Sequence, residues 1–187
     1  MLRHDQKYAI VIELEGNILE SIKKAQQLLA KEFGISYIAD SSPCAHITLE
    51  SDFIINDFNS LKKALGHLGR ELSRFEVQAV GLGVFIANTP VVHIRWRNSI
   101  SLLSLKRRLE VLMQSLCVSN VVANYSVDMD WLAKTTLAYA DTTYENLSAV
   151  ILSLQNFDFD LTTLVSGVSI YSYIPGKEER NIAVIPF

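Results

Sequence analysis

The order of secondary structure that the sequence predicts repeats once along the 187 residues of this chain. Each half is expected to run strand, helix, strand, helix, strand, because β-branched runs alternate with stretches whose apolar residues recur every three or four positions. No linker or low-complexity segment separates the halves. We therefore predict one α+β domain over 1–187, with two similar lobes of antiparallel sheet and outer helices. The lobes are expected to cover roughly 1–88 and 89–187 and to be related by a pseudo-twofold axis around a central groove.

The apolar spacing predicts approximate bounds for these elements. Strands are predicted at 8–14, 46–54, 75–86, 91–97, 131–139, 165–174 and 181–187. Helices are predicted at about 18–33, 58–72, 102–116 and 147–154. Candidate caps stand at the helix ends, namely Gly34, Asn56 or Asp57, Ser99, and the pair Thr142 and Glu145. Gly81 and Gly83 predict a bulge in the third strand, and Pro175-Gly176 predicts a turn.

The composition excludes several classes of protein. Although 49% of the residues are apolar, no run reaches the roughly 18–20 residues that cross a bilayer. The first seven residues lack the apolar stretch of a signal peptide. We therefore expect a cytoplasmic protein without a membrane partner. The net charge of −3 argues against a protein that coats long nucleic acid. A nucleotide or an RNA end in a local basic groove stays open as a partner.

Neither a metal nor a cofactor is expected. The two cysteines, Cys44 and Cys117, form no Cys-x-x-Cys motif, and we interpret them as reduced, partly buried residues. The four histidines have no metal-ligand spacing. Asp128 and Asp130 lack the further carboxylates of a magnesium or calcium site. The sequence makes no prediction about the oligomeric state.

Two of the predicted strands carry similar polar motifs. His46 and Thr48 lie in the segment 44–49 (CAHITL), and Lys134 and Thr136 lie in the segment 132–137 (LAKTTL). Residues i and i+2 point to the same face of a strand, so each motif presents two polar side chains together. An imidazole facing an ammonium group, with a hydroxyl beside each, suits a phosphate ester.

Each candidate also has an ordinary structural interpretation. His46 is equally compatible with a hydrogen-bonded core histidine, and Lys134 with an edge residue whose ammonium group reaches solvent. A lysine within an apolar strand is nevertheless uncommon unless it is paired or lines a wet cleft. Glu50 is a candidate to orient or charge-balance His46, because it lies two residues beyond Thr48.

Four further residues are candidates for substrate binding. His93, Arg95 and Arg97 alternate along one strand and share a face, which either binds phosphates or is a solvated surface. His93 is also a candidate to act as a catalytic base, a role that Lys134 performs poorly near pH 7. Tyr139 either stacks on a base at the rim of the groove or packs in the core.

The chain resembles the two-histidine (2H) phosphoesterase superfamily, which includes 2′-5′ RNA ligase-like proteins and 2′,3′-cyclic phosphodiesterases. His46 and Thr48 match the first His-x-Thr/Ser motif of that family. Thr136 matches the hydroxyl of the second motif, and Lys134 stands where the second histidine belongs. The segment 81–85 and the next strand, which ends at Trp96, resemble the linking region of the family.

The resemblance implies metal-independent catalysis at His46, Thr48, Lys134 and Thr136. In the family, one histidine is the general base, the other is the general acid, and the hydroxyls hold the phosphate. A lysine, with an ordinary pKa of about 10.4, can donate a proton and stabilise charge but is a poor base at pH 7.

We therefore expect impaired hydrolysis of a small phosphodiester, such as a 2′,3′-cyclic nucleotide or an RNA end. One alternative is an inactive nucleotide- or RNA-end-binding protein that retains the anion site. The other alternative is an interaction scaffold with an incidental groove.

Overall fold

The computed structural model describes residues 6–42, 44–119, 131–174 and 180–187. Its strands are β1 (Lys7–Glu13), β2 (His46–Ile55), β3 (Phe75–Phe85), β4 (Val91–Trp96), β5 (Cys117–Ser119), β6 (Lys134–Ala138), β7 (Thr162–Val165), β8 (Gly167–Tyr173) and β9 (Arg180–Pro186). Its helices are α1 (Gly16–Phe33), α2 (Tyr37–Ser41), α3 (Phe58–Arg70), α4 (Ile100–Leu116) and α5 (Tyr144–Leu154). The predicted Pro175-Gly176 turn and the Asp128/Asp130 pair lie outside the described residues.

The strands form two antiparallel sheets, so the predicted α+β fold is confirmed. One sheet has the order β5-β2-β1-β8-β9, and the other has the order β6-β4-β3-β7. Buried apolar residues from both sheets and from the longer helices form one large core. None of the described helices is long and apolar enough to cross a bilayer.

Each sheet draws strands from both halves of the chain. Strand β3 belongs to the first half but lies in the second sheet, while β8 and β9 join the first sheet. The predicted boundary at residue 88 therefore does not separate the two sheets. The strand predicted over 165–174 is observed as β8, whereas β7 was not predicted, and the chain passes from one sheet to the other between these two strands. Gly167, at the start of β8, lets the backbone of β9 approach closely, since a Cβ there would lie 2.5 Å from the carbonyl oxygen of Ile185.

Bulges in β2 and β3 change which residues share a face. The predicted bulge in β3 is confirmed, because Gly81 has φ +91 and the register with β4 shifts between Ala79 and Leu82. A second bulge, in β2, shifts the register with β1 between Thr48 and Glu50. The predicted contact of Glu50 with His46 is therefore wrong.

Glu50 instead forms a buried ion pair with helix α4. Its Oε1 accepts a hydrogen bond from Lys106 Nζ at 2.6 Å, and Lys106 is also 3.2 Å from Glu110 Oε1. Glu50 is 6% exposed and Lys106 is 1% exposed, so each charged group interacts with the other in place of water. This pair attaches α4 to the strand that carries the first motif.

Most of the predicted helix caps are observed. Gly34 ends α1 in the left-handed conformation, Asp57 accepts a hydrogen bond at the start of α3, and Ser99 does so at the start of α4. The box predicted for Thr142 and Glu145 is wrong by one residue, because Thr143 and Asn146 form the capping box of α5. Thr142, the residue before this cap, is buried.

Candidate active site

One cavity of about 520 Å³ brings the two polar motifs together. His46, Thr48, Lys134 and Thr136 all line it, and so does Tyr139 at 42% exposure. Helices α1 and α2 supply the facing wall. No aspartate or glutamate is found among the described residues that line the cavity. The described residues also include no cluster of three or more His, Cys, Asp or Glu side chains placed to hold a metal.

A buried threonine between the second-motif residues joins the two motif strands. Thr135 Oγ1 donates to the carbonyl oxygen of His46 at 2.9 Å and accepts from Trp96 Nε1 at 3.0 Å. Thr135 is 1% exposed, because alternation along β6 places its side chain on the opposite face of the strand from Lys134 and Thr136. This hydroxyl fixes the position of one motif relative to the other.

The Thr135→Val variant is expected to destabilise the protein by about 1–3 kcal/mol, because the His46 carbonyl and the Trp96 N–H lose their buried partner. Urea unfolding measures the loss. Thr135→Ser is the matched control, since it keeps the hydroxyl, and it should cost less. Equal stability of the two variants would contradict a linking role for the hydroxyl.

The ring of His46 has a defined orientation. Its Nδ1 lies 2.9 Å from the carbonyl oxygen of Cys44, which can only accept, so Nδ1 carries the proton. In the neutral ring, Nε2 is then the atom able to accept a proton. The ring also meets the edge of Tyr171, with 5.3 Å between centroids.

Tyr171 and Glu13 support this orientation and were not predicted from the sequence. The Tyr171 hydroxyl donates to Glu13 Oε1 at 2.9 Å, and Glu13 is the register partner of His46 across β1 and β2. Glu13 could have been recognised in the sequence, because it is an acidic residue near the end of an otherwise apolar strand.

Lys134 is a desolvated cation beside a hydroxyl. Its Nζ donates to Thr136 Oγ1 at 3.0 Å. Burial lowers the pKa of Lys134 from its ordinary value. Within the described part of the chain, no carboxylate forms an ion pair with it. A bound anion would supply the missing negative charge and raise this pKa again.

Of the three residues on the predicted basic face, His93 is buried, whereas Arg95 and Arg97 are exposed. In the sheet register, His93 lies opposite Thr136, and Arg95 lies opposite Lys134, so all four share a face. His93 is only 2% exposed and stacks on Phe85 at 4.3 Å between centroids.

His93 can be buried because the residue opposite it on β3, Gly83, has no side chain. A Cβ at Gly83 would lie 2.6 Å from His93 Nε2, so the absence of a side chain leaves room for the imidazole. Burial argues against the predicted substrate contact of His93. Arg95 and Arg97 are exposed beyond the described lining of the cavity, and their role stays a prediction.

His93 is expected to make stability fall in mild acid. Burial lowers its pKa from the ordinary 6.5; the bond to the Val91 carbonyl opposes this shift, whereas Lys134 and Arg95 add to it. Below about pH 6.5 the unfolded chain therefore binds a proton that the folded protein excludes. The free energy of unfolding, measured in urea from about pH 7 to pH 5, should fall less steeply in His93→Phe than in wild type. Equal slopes would contradict this assignment.

Comparisons with known proteins reveal similarity in structure only. No protein-family profile matches the chain. No curated protein matches its sequence. A Thermus thermophilus protein, TT0787, superposes with a TM-score of 0.65 at 15% identity, over 96% of this chain and 97% of that one.

Two further similar structures belong to bacterial and yeast proteins. Escherichia coli LigT with 3′-AMP has a TM-score of 0.58 at 15% identity, over 98% of this chain and 100% of LigT. Kluyveromyces marxianus Usb1 has a TM-score of 0.51 at 12% identity, over 98% of each chain. The chain therefore has the two-lobe fold of LigT and Usb1.

Proposed function

We propose that the chain is a 2H phosphoesterase-like protein that hydrolyses a small phosphodiester, such as a 2′,3′-cyclic nucleotide or an RNA end, slowly and without a metal. The observation that carries this proposal is the single cavity shared by His46, Thr48, Lys134 and Thr136. The ligands of proteins with the same fold support it. LigT forms complexes with 3′-AMP and with phosphate, and Usb1 forms one with uridine monophosphate.

The geometry suggests a separate role for each motif residue. His46 Nε2 takes a proton from water as the water oxygen bonds to phosphorus. The bond from phosphorus to the leaving ribose oxygen breaks, and that oxygen takes a proton from Lys134 Nζ. The hydroxyls of Thr48 and Thr136 donate hydrogen bonds to the non-bridging oxygens, whose charge grows in the transition state. Solvent then returns the proton from His46 to Lys134.

Slow turnover follows from the lysine. An ammonium group with an ordinary pKa of about 10.4 is a weaker acid than an imidazolium with a pKa of about 6.5. Burial lowers the pKa of Lys134, which improves the acid, but a phosphate in contact with it acts in the opposite direction.

The second candidate is a nucleotide- or RNA-end-binding protein without catalysis. A largely buried Lys134 with no carboxylate partner among the described residues favours it, because such a cation holds an anion without proton transfer.

The discriminating experiment incubates wild-type protein with a 2′,3′-cyclic nucleotide and a chelator. Ring opening is followed by ³¹P NMR, and binding is followed by calorimetry. Ring opening supports the enzyme. Binding without ring opening supports the binding protein. If neither occurs, both candidates fail and the interaction scaffold is left.

A further inference from the structure

The charge of the cavity exceeds what one phosphodiester needs. A phosphodiester carries one negative charge, and Lys134 balances it. The described lining contains a second lysine, Lys23, and no acidic residue. This positive character is local, since the whole chain has a net charge of −3. A ligand that matches it carries at least one further negative group.

Lys23 reaches the cavity from helix α1, whereas the motif residues lie on β2 and β6. Its only ion-pair partner among the described residues is Glu20, with 3.6 Å between Nζ and Oε1. Both side chains are more than half exposed, at 55% and 62%. Such a pair is weak and leaves most of the lysine charge available. Gln26, three residues along α1, lines the same cavity and adds an amide donor.

The positive charge of Lys23 acts on the pKa of Cys44, in the segment that carries the first motif. Burial raises the pKa of the Cys44 thiol, and Glu13 adds to this rise, whereas Lys23 acts in the opposite direction. Cys44 also lines the cavity, two residues before His46. Lys23 therefore lies within electrostatic range of the reacting centre but on a separate wall.

We propose that Lys23 and Gln26 form a second anion subsite, and that the ligand is a nucleotide with another phosphate group besides the reacting phosphodiester. This inference rests on the proposed function, because it takes the motif residues as the site of the phosphodiester. The cavity of about 520 Å³ is within the size range of sites for nucleotide-sized molecules. One phosphate at the motif site leaves the wall of α1 for the second.

The test compares two probes, a 2′,3′-cyclic mononucleotide with a 5′-hydroxyl and the same compound with a 5′-phosphate. Calorimetry at fixed ionic strength gives the ratio of their dissociation constants. Wild type should prefer the 5′-phosphorylated probe by about tenfold, the size expected for a hydrogen bond between charged groups. Lys23→Ala should abolish this preference. Lys24→Ala is the matched control, because Lys24 is the exposed neighbour outside the described cavity lining, and it should keep the preference.

Each remaining outcome has a distinct meaning. If wild type binds both probes equally, or if Lys24→Ala loses the preference as fully as Lys23→Ala, the subsite is wrong while the motif site stands. If wild type binds neither probe, the proposed function fails and the subsite fails with it. Circular dichroism of both variants checks that the exposed substitutions leave the fold intact.

Discussion

The His46→Ala variant is expected to hydrolyse a 2′,3′-cyclic nucleotide about 10²–10⁴-fold more slowly than wild type, which is the usual contribution of one acid–base group. The reason is geometric. The Cys44 carbonyl fixes the Nδ1 proton of His46, so that Nε2 is the atom able to accept a proton. No other described side chain is a clear substitute. His93 is buried against Phe85 and lies outside the described cavity lining.

The measurement is kcat/KM by ³¹P NMR or by chromatography of the ring-opened product. His67→Ala is the control, because His67 is an exposed residue of α3 outside this cavity, and it should match wild type. A His46→Ala enzyme as fast as wild type would show that the turnover does not use this imidazole. Loss of activity in His67→Ala as well would indicate a contaminating enzyme or general damage.

Substitution of Lys134 is expected to have opposite effects on turnover according to the replacement. Lys134→Met keeps an apolar chain of similar length but removes the ammonium group, so kcat/KM should fall by about 10²–10⁴-fold. Lys134→His should instead raise turnover above wild type, because an imidazolium is the stronger acid near neutral pH. The kinetic assay with the 2′,3′-cyclic nucleotide measures both effects.

The binding affinities of these variants separate the two candidate functions. If wild type is inactive, Lys134→Met should still weaken nucleotide binding by about tenfold or more, because a charged hydrogen bond is lost. Lys62→Met is the control, since Lys62 is exposed on α3 outside the cavity. Unchanged binding and unchanged turnover in Lys134→Met would contradict any role of this lysine in holding phosphate.

Local sequence patterns were sufficient to predict most of the fold. The strands and long helices follow from apolar periodicity, and the caps Gly34 and Asp57 follow from their own chemistry. Strand β7 was missed, because its four residues, Thr162–Val165, are too few to show a clear pattern and directly precede the strand predicted at 165–174.

Helix α2 was missed for a related reason. It has only one turn and no amphipathic repeat to detect. Its start is fixed from far along the chain, because Asp141 Oδ2 accepts hydrogen bonds from the backbone N–H groups of Ser36 and Tyr37, each at 2.7 Å. Tyr37 then packs edge-on against Tyr139 beside the cavity.

The motif residues could be recognised because alternation along a strand is a local property. His46 with Thr48, and Lys134 with Thr136, needed only the two-residue period. The supporting contacts could not be found this way. The bond from Thr135 to the His46 carbonyl joins residues that are 89 positions apart. The error about Glu50 arose because a bulge reverses the alternation that the prediction relied on.

The central claim is that one phosphate lies between the two motifs. A crystal structure of the wild-type chain with a nucleoside 3′-monophosphate tests it most directly. We expect the phosphate oxygens within hydrogen-bond distance of His46 Nε2 and Lys134 Nζ, with the hydroxyls of Thr48 and Thr136 beside them. A phosphate bound elsewhere, or His46 and Lys134 too far apart to contact one phosphate, would contradict the claim.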